Sequence, residues 1–109
     1  MRTLKFIVEN QIIRQDPKCD FSGLVPGTKG YIQAEFEFSP EWDDCAKIAS
    51  FYSIMGRELP YQVLKDGRTC MIPSEALERQ SFKLKVLGTN GDKIITTNKV
   101  MVSQNGGRV

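Results

Sequence analysis

Histidine is the commonest general acid and base in enzymes, and this sequence has none. Its absence removes Ser-His-Asp and Cys-His nucleophile systems and most zinc hydrolases together. The three cysteines, Cys19, Cys45 and Cys70, are odd in number and far apart, with no C-x-x-C pair among them. They suit neither dithiol redox chemistry nor a zinc site, and an odd count does not make a disulfide framework. They read as free thiols in a reducing compartment. No G-x-x-x-x-G-K-[ST] loop or G-x-G-x-x-G turn is present to cradle a nucleotide. No cofactor and no catalytic residue is expected.

Carboxylates are the remaining candidates. Glu41, Asp43 and Asp44 crowd one segment and could hold a hard cation such as calcium, but the spacing and glycine of an EF-hand are missing. A solvated acidic turn is the preferred reading. Glu35 and Glu37 alternate with apolar residues, as do Lys83 and Lys85. If their strands were neighbours, the two pairs would add only ~0.2–1 kcal/mol each. Trp42, the single tryptophan, stands inside the acidic segment. It suits a buried anchor at one end of the fold, with an exposed binding hot spot as the sharper alternative.

The elements that must position these groups show a period of two. Ile32, Ala34, Phe36 and Phe38 point one way along Tyr31–Phe38, and Tyr31, Gln33, Glu35 and Glu37 the other. Phe82, Leu84 and Val86 repeat the pattern, and Leu4, Phe6 and Val8 form a further row. Ala46–Tyr52 reads as a strand as well. Asp66-Gly67 and Asn90-Gly91 are hairpin signals, because both central residues of a type I′ turn need positive φ. They predict pairing of Tyr61–Lys65 with Thr69–Ile72, and of Phe82–Gly88 with Asp92–Ser103. Pro73–Arg79 predicts one or two helical turns that cross between sheets. About seven short strands with one short helical corner near residues 73–79 make an all-β, immunoglobulin-like sandwich. The single domain is expected to span residues 1–103, with 104–109 as a flexible end.

With 109 residues, one core is the natural capacity. Fifteen Lys and Arg against thirteen Asp and Glu leave a formal charge of +2, dispersed along the chain. That balance argues against nucleic acid as a partner. No apolar run approaches the ~20 residues of a membrane helix, and Met1–Glu9 offers no signal-peptide core.

Several stretches carry a family resemblance. They are Phe36-Glu37-Phe38-Ser39-Pro40-Glu41-Trp42, Lys47-Ile48-Ala49-Ser50-Phe51, Asp66-Gly67-Arg68-Thr69-Cys70-Met71-Ile72-Pro73, and Phe82–Gly88 followed by Ile94–Asn98. Together they resemble immunoglobulin-like domains in structural proteins of tailed bacteriophages, baseplate and fibre components among them. Trp42, the Ile72-Pro73 corner and Gly88 carry most of that likeness. The resemblance implies a non-catalytic module, made in the bacterial host cytoplasm, that binds virion subunits or copies of itself. The alternative is a small phage protein that binds a host protein. The expected contact residues are Tyr31, Gln33, Glu35 and Glu37 with Glu41, Trp42, Asp43 and Asp44.

Overall fold

The alternating rows become strands with one buried face. Leu4, Phe6 and Val8 share the inner side of β1 (Arg2–Glu9), all three within 1% of complete burial. Ile32, Ala34 and Phe36 do the same in β3 (Ile32–Phe38), while Phe38 is half-buried at the strand's end. The computed structural model describes residues 1–104.

Two sheets face each other across one apolar core. In the first sheet the order is β2 (Ile12–Gln15), β1, β3, β6 (Thr69–Met71). In the second, β5 (Gln62–Val63), β4 (Ala46–Ser53) and β7 (Ser81–Asn90) lie side by side. Both β8 (Lys93–Thr96) and β9 (Val100–Ser103) then pair with β7, one with each half of it. Phe6 and Phe36 from one sheet join Phe51, Phe82, Leu84 and Val86 from the other in a single core cluster. Each fully buried side chain of this size stabilises the fold by about 1.5–3 kcal/mol. The two ion pairs of the described residues, Arg14–Glu9 and Arg68–Glu35, are surface pairs worth at most ~1 kcal/mol each. Packing, not charge, holds the molecule together.

From β3 onward the order follows an immunoglobulin-like sandwich, with β3 and β6 in one sheet and β5, β4, β7 and β9 in the other. The N-terminal hairpin departs from it: β1 runs parallel to β3, with β2 outside it. Between β2 and β3 a long loop closes one end of the core. Leu24 is 1% exposed there, and Phe21 meets the Phe6 ring edge-on at 5.4 Å.

Among the described residues, nine strands stand where about seven were expected. One of the two extra strands is β2. The other arises because the run over Asp92–Ser103 breaks at Thr97–Lys99, where Thr97 turns inward and its hydroxyl accepts from the Val86 backbone N–H at 3.1 Å. Asp66-Gly67 does form a turn with both residues at positive φ (52° and 68°). It does not open a hairpin, however. Beyond the single bridge Lys65–Thr69, β5 pairs with β4 and β6 with β3, so the turn carries the chain from one sheet to the other. The Asn90-Gly91 signal does yield a hairpin, but its loop is Gly91-Asp92 and only Gly91 has positive φ (60°), the type II′ pattern.

The helical corner shrinks to α1 (Ser74–Leu77), with Pro73 at its N-cap, and it passes from β6 to β7 in the opposite sheet. The expected boundary at residue 103 moves. Gln104 is 3% exposed, its backbone N–H donates to the Gln80 carbonyl, and its amide donates to the carbonyls of Leu77 and Arg79 at 3.0 and 2.7 Å. The rest of the expected flexible end, 105–109, lies outside the described residues.

The sandwich is stitched on both sides. On one, the turn after β5 joins the sheets covalently. On the other, the Asn98 carboxamide accepts from the Ile13 N–H at 2.8 Å, and the Gln11 and Gln15 amides donate to the carbonyls of Thr96 and Met101. The edge of β2 is thereby tied to the C-terminal strands of the other sheet, which limits its use for foreign strand pairing.

Candidate protein-binding surface

The acidic segment forms where β3 ends. Pro40 starts a single 3-10 turn (Pro40–Trp42), and Asp44 adopts a φ of 65°. That turn drives Trp42 inward to 0% exposure, where its indole N–H donates to the Asn10 carbonyl at 2.7 Å. The indole reaches its place because β7 carries glycine opposite it. A Cβ on Gly88 would lie 2.9 Å from two carbons of the six-membered ring. Trp42 is therefore an anchor of the sandwich end and leaves the set of surface contact candidates.

The remaining expected contacts do not converge. Gln33, Glu35 and Glu37 share the outer face of the first sheet, with Glu35 beside Arg68 at 3.5 Å. Tyr31 stands before the other end of β3, about 20 Å from Glu37 at ~3.3 Å per residue. Glu37 and Asp43 line one groove with Lys47, Asp66 and Arg68. Glu41 lines another, with Asn10, Gln11 and Lys93, and its carbonyl accepts from the Lys93 ammonium at 2.9 Å. Asp44 is exposed. Among the described residues, no three His, Cys, Asp or Glu side chains gather as a metal site. Lys83 and Lys85 lie in the other sheet from Glu35 and Glu37, so the cross-strand pairs considered from sequence do not form.

A different face concentrates apolar surface. Residues directly opposite on antiparallel strands project to the same side. On the outer side of the second sheet, register therefore aligns Val63, Ile48, Leu87 and Thr96 in one row and Ala46, Thr89 and Ile94 in the next. Val63 and Ile94 are 67% and 69% exposed, and Tyr61 beside them 63%. Farther along the same face, Tyr52, Lys83 and Met101 form another row, with Glu58 bridged to Tyr52. The Lys99 ammonium sits 3.9 Å from the Tyr52 ring centroid and that of Lys85 5.8 Å, a cation–π cluster. Among the described residues, neither these two lysines nor Lys83 has a carboxylate within ion-pair distance.

Periodicity held the signal for this face. In Ala46–Tyr52 the outer set Ala46, Ile48, Ser50 and Tyr52 is nearly as apolar as the inner one, which makes the strand ambiguous in sequence. An outer strand face of that composition is itself a sign of a contact surface.

The thiols fit structural roles. Cys70 is buried between the sheets, and loss of solvation pushes its pKa up to about 12. Cys45 is buried beside Gly88, and Cys19 is partly exposed. No helix of the described residues is long and apolar enough to cross a membrane. Comparison with protein-family models, with curated proteins and with solved structures found no match to this chain.

Proposed function

We propose that this protein is a non-catalytic docking module that works by occupying a surface of another protein, with the outer face of the second sheet as its contact. The observation that carries the reading is the row Val63–Ile48–Leu87 with Ile94, in which Val63 and Ile94 are exposed and Ile48 and Leu87 are half-buried between them. Exposed apolar rows rimmed by polar residues are the usual mark of a protein interface. Two features support a role without catalysis. The sequence has no histidine, and a thiol with a pKa near 12 stays protonated and unreactive at neutral pH. The partner we propose is a virion subunit, as the likeness to phage structural domains implies. A host protein is the alternative.

A photo-crosslinking residue placed at Val63 or Ile94, and as a control at Glu37, tests the proposal in infected cells and in purified particles. The second-sheet positions should give one dominant product with a virion protein, saturating near one copy per partner site, and Glu37 should not. Crosslinking to a host protein at those positions would select the alternative. Products from Glu37 but not from Val63 or Ile94 would move the interface to the β3 face. Turnover of any substrate at substoichiometric protein would end the non-catalytic reading.

A further inference from the structure

The same face has two chemically distinct ends, and they specify the partner further. Resting on the docking role proposed above, we infer that the partner contributes a segment with an aliphatic anchor and, about 13 Å away, a pair of carboxylates. The spacing comes from β4: Ile48 marks the aliphatic row and Tyr52 the lysine cluster, four residues apart at ~3.3 Å each. The aliphatic end, with Val63, Leu87 and Ile94, offers nothing to a charged group. The other end gathers Lys83, Lys85 and Lys99 around one tyrosine against a single carboxylate among the described residues, Glu58. Holding like charges close together leaves a positive potential that an incoming anion relieves.

Charge also selects among occupants. A second copy laid on this face brings three ammonium groups and one carboxylate of its own, so pairing like with like leaves both lysine clusters uncompensated. A nucleic acid backbone satisfies the lysines but leaves the aliphatic row in water. An acidic protein segment with an apolar anchor satisfies both ends.

The test is titration of the isotope-labelled protein with a synthetic extended peptide bearing a leucine and glutamates four and six residues on, so that all three side chains project to one side. Saturable amide shifts are expected at Ile48, Val63 and Leu87 and at Tyr52, Lys85 and Lys99, and nowhere on the β3 face. Replacing both glutamates by glutamine should weaken binding about fivefold or more, the scale of two exposed charge pairs, as should K85E with K99E. Raising the salt to ~1 M should do likewise, since the Debye length then falls to ~3 Å. Three results would overturn the inference. One is a glutamine peptide that binds as well. Another is the lack of saturation at several millimolar peptide. The third is the same face protected by self-association or saturated equally by a single-stranded oligonucleotide. A failed peptide together with retained crosslinking at Val63 and Ile94 would remove the acidic partner and leave the docking face standing.

Discussion

Gly88→Ala should destabilise the protein, although replacing a glycine within a strand ordinarily does the opposite. Its backbone has no positive φ, so the new residue faces no conformational strain. Removing glycine's freedom in the unfolded chain should even contribute ~0.4–1 kcal/mol. Against this stands a steric conflict. The added Cβ would lie 2.9 Å from two ring carbons of Trp42 and 3.2 Å from the Cys45 Cβ, where carbon atoms prefer ~3.5–4.0 Å. The indole cannot retreat: it is fully buried, its N–H is held by the Asn10 carbonyl, and it packs against Phe38 at 5.2 Å between centroids. The strand cannot retreat either, since β7 is paired on both sides at Gly88. Overpacking of this kind costs ~1–3 kcal/mol, so the net loss should be about 1–2 kcal/mol. Equilibrium urea unfolding measures it, with the single tryptophan as a reporter beside the mutation. Trp42→Phe draws back the outer part of the ring, and in that background Gly88→Ala should cost less, with circular dichroism as the readout. An alanine variant as stable as the parent, or an undiminished cost in the phenylalanine background, would refute the argument.

Phe36→Ala should cost ~3–5 kcal/mol in the same measurement, because the ring is fully buried against Phe6. Cys70 supplies a pH dependence. Its folded pKa of about 12 lies above the ordinary 9.0, so the folded state holds its proton longer. The associated stability is complete below pH 9 and is lost between about pH 9 and 12, at up to ~1.4 kcal/mol per unit. Cys70→Ala should flatten that alkaline limb. Asn98→Ala should cost about 1 kcal/mol and speed amide exchange at Ile13, whose N–H loses its acceptor. Reversing both Glu35 and Glu37 should shift Tm by only a few degrees, since the one ion pair lost is exposed, and should leave crosslinking through Val63 unchanged.

The sandwich was legible because its central strands bury one face each, and period-two sorting of Ile32, Ala34 and Phe36 or of Phe82, Leu84 and Val86 admits no other element. The turn residues were legible too, but not their consequences. Asp66-Gly67 specifies a local conformation, and nothing local says whether the strands it joins continue as neighbours or part into different sheets. Four residues, Ile12–Gln15, were too few to display a period, with Ile13 the single buried side chain. Trp42 suits an anchor better than a contact in sequence alone, and the glycine that receives it, 46 positions on, is seen opposite only in the fold. For the surface, charge drew attention to Glu35 and Glu37, whereas the exposed apolar row emerges only when register places Val63, Ile48 and Leu87 side by side.

The stitch between β2 and the C-terminal strands joins residues 85 and 86 positions apart in the chain. During synthesis at 5–20 residues per second, roughly 4–17 s therefore pass between the appearance of Ile13 and that of Asn98. Over that interval the Ile13 edge has only its hairpin partner β1, and an unpaired strand edge is a template for other chains. Closure of the seam late in folding would thus remove the Ile13 edge as a template for other chains.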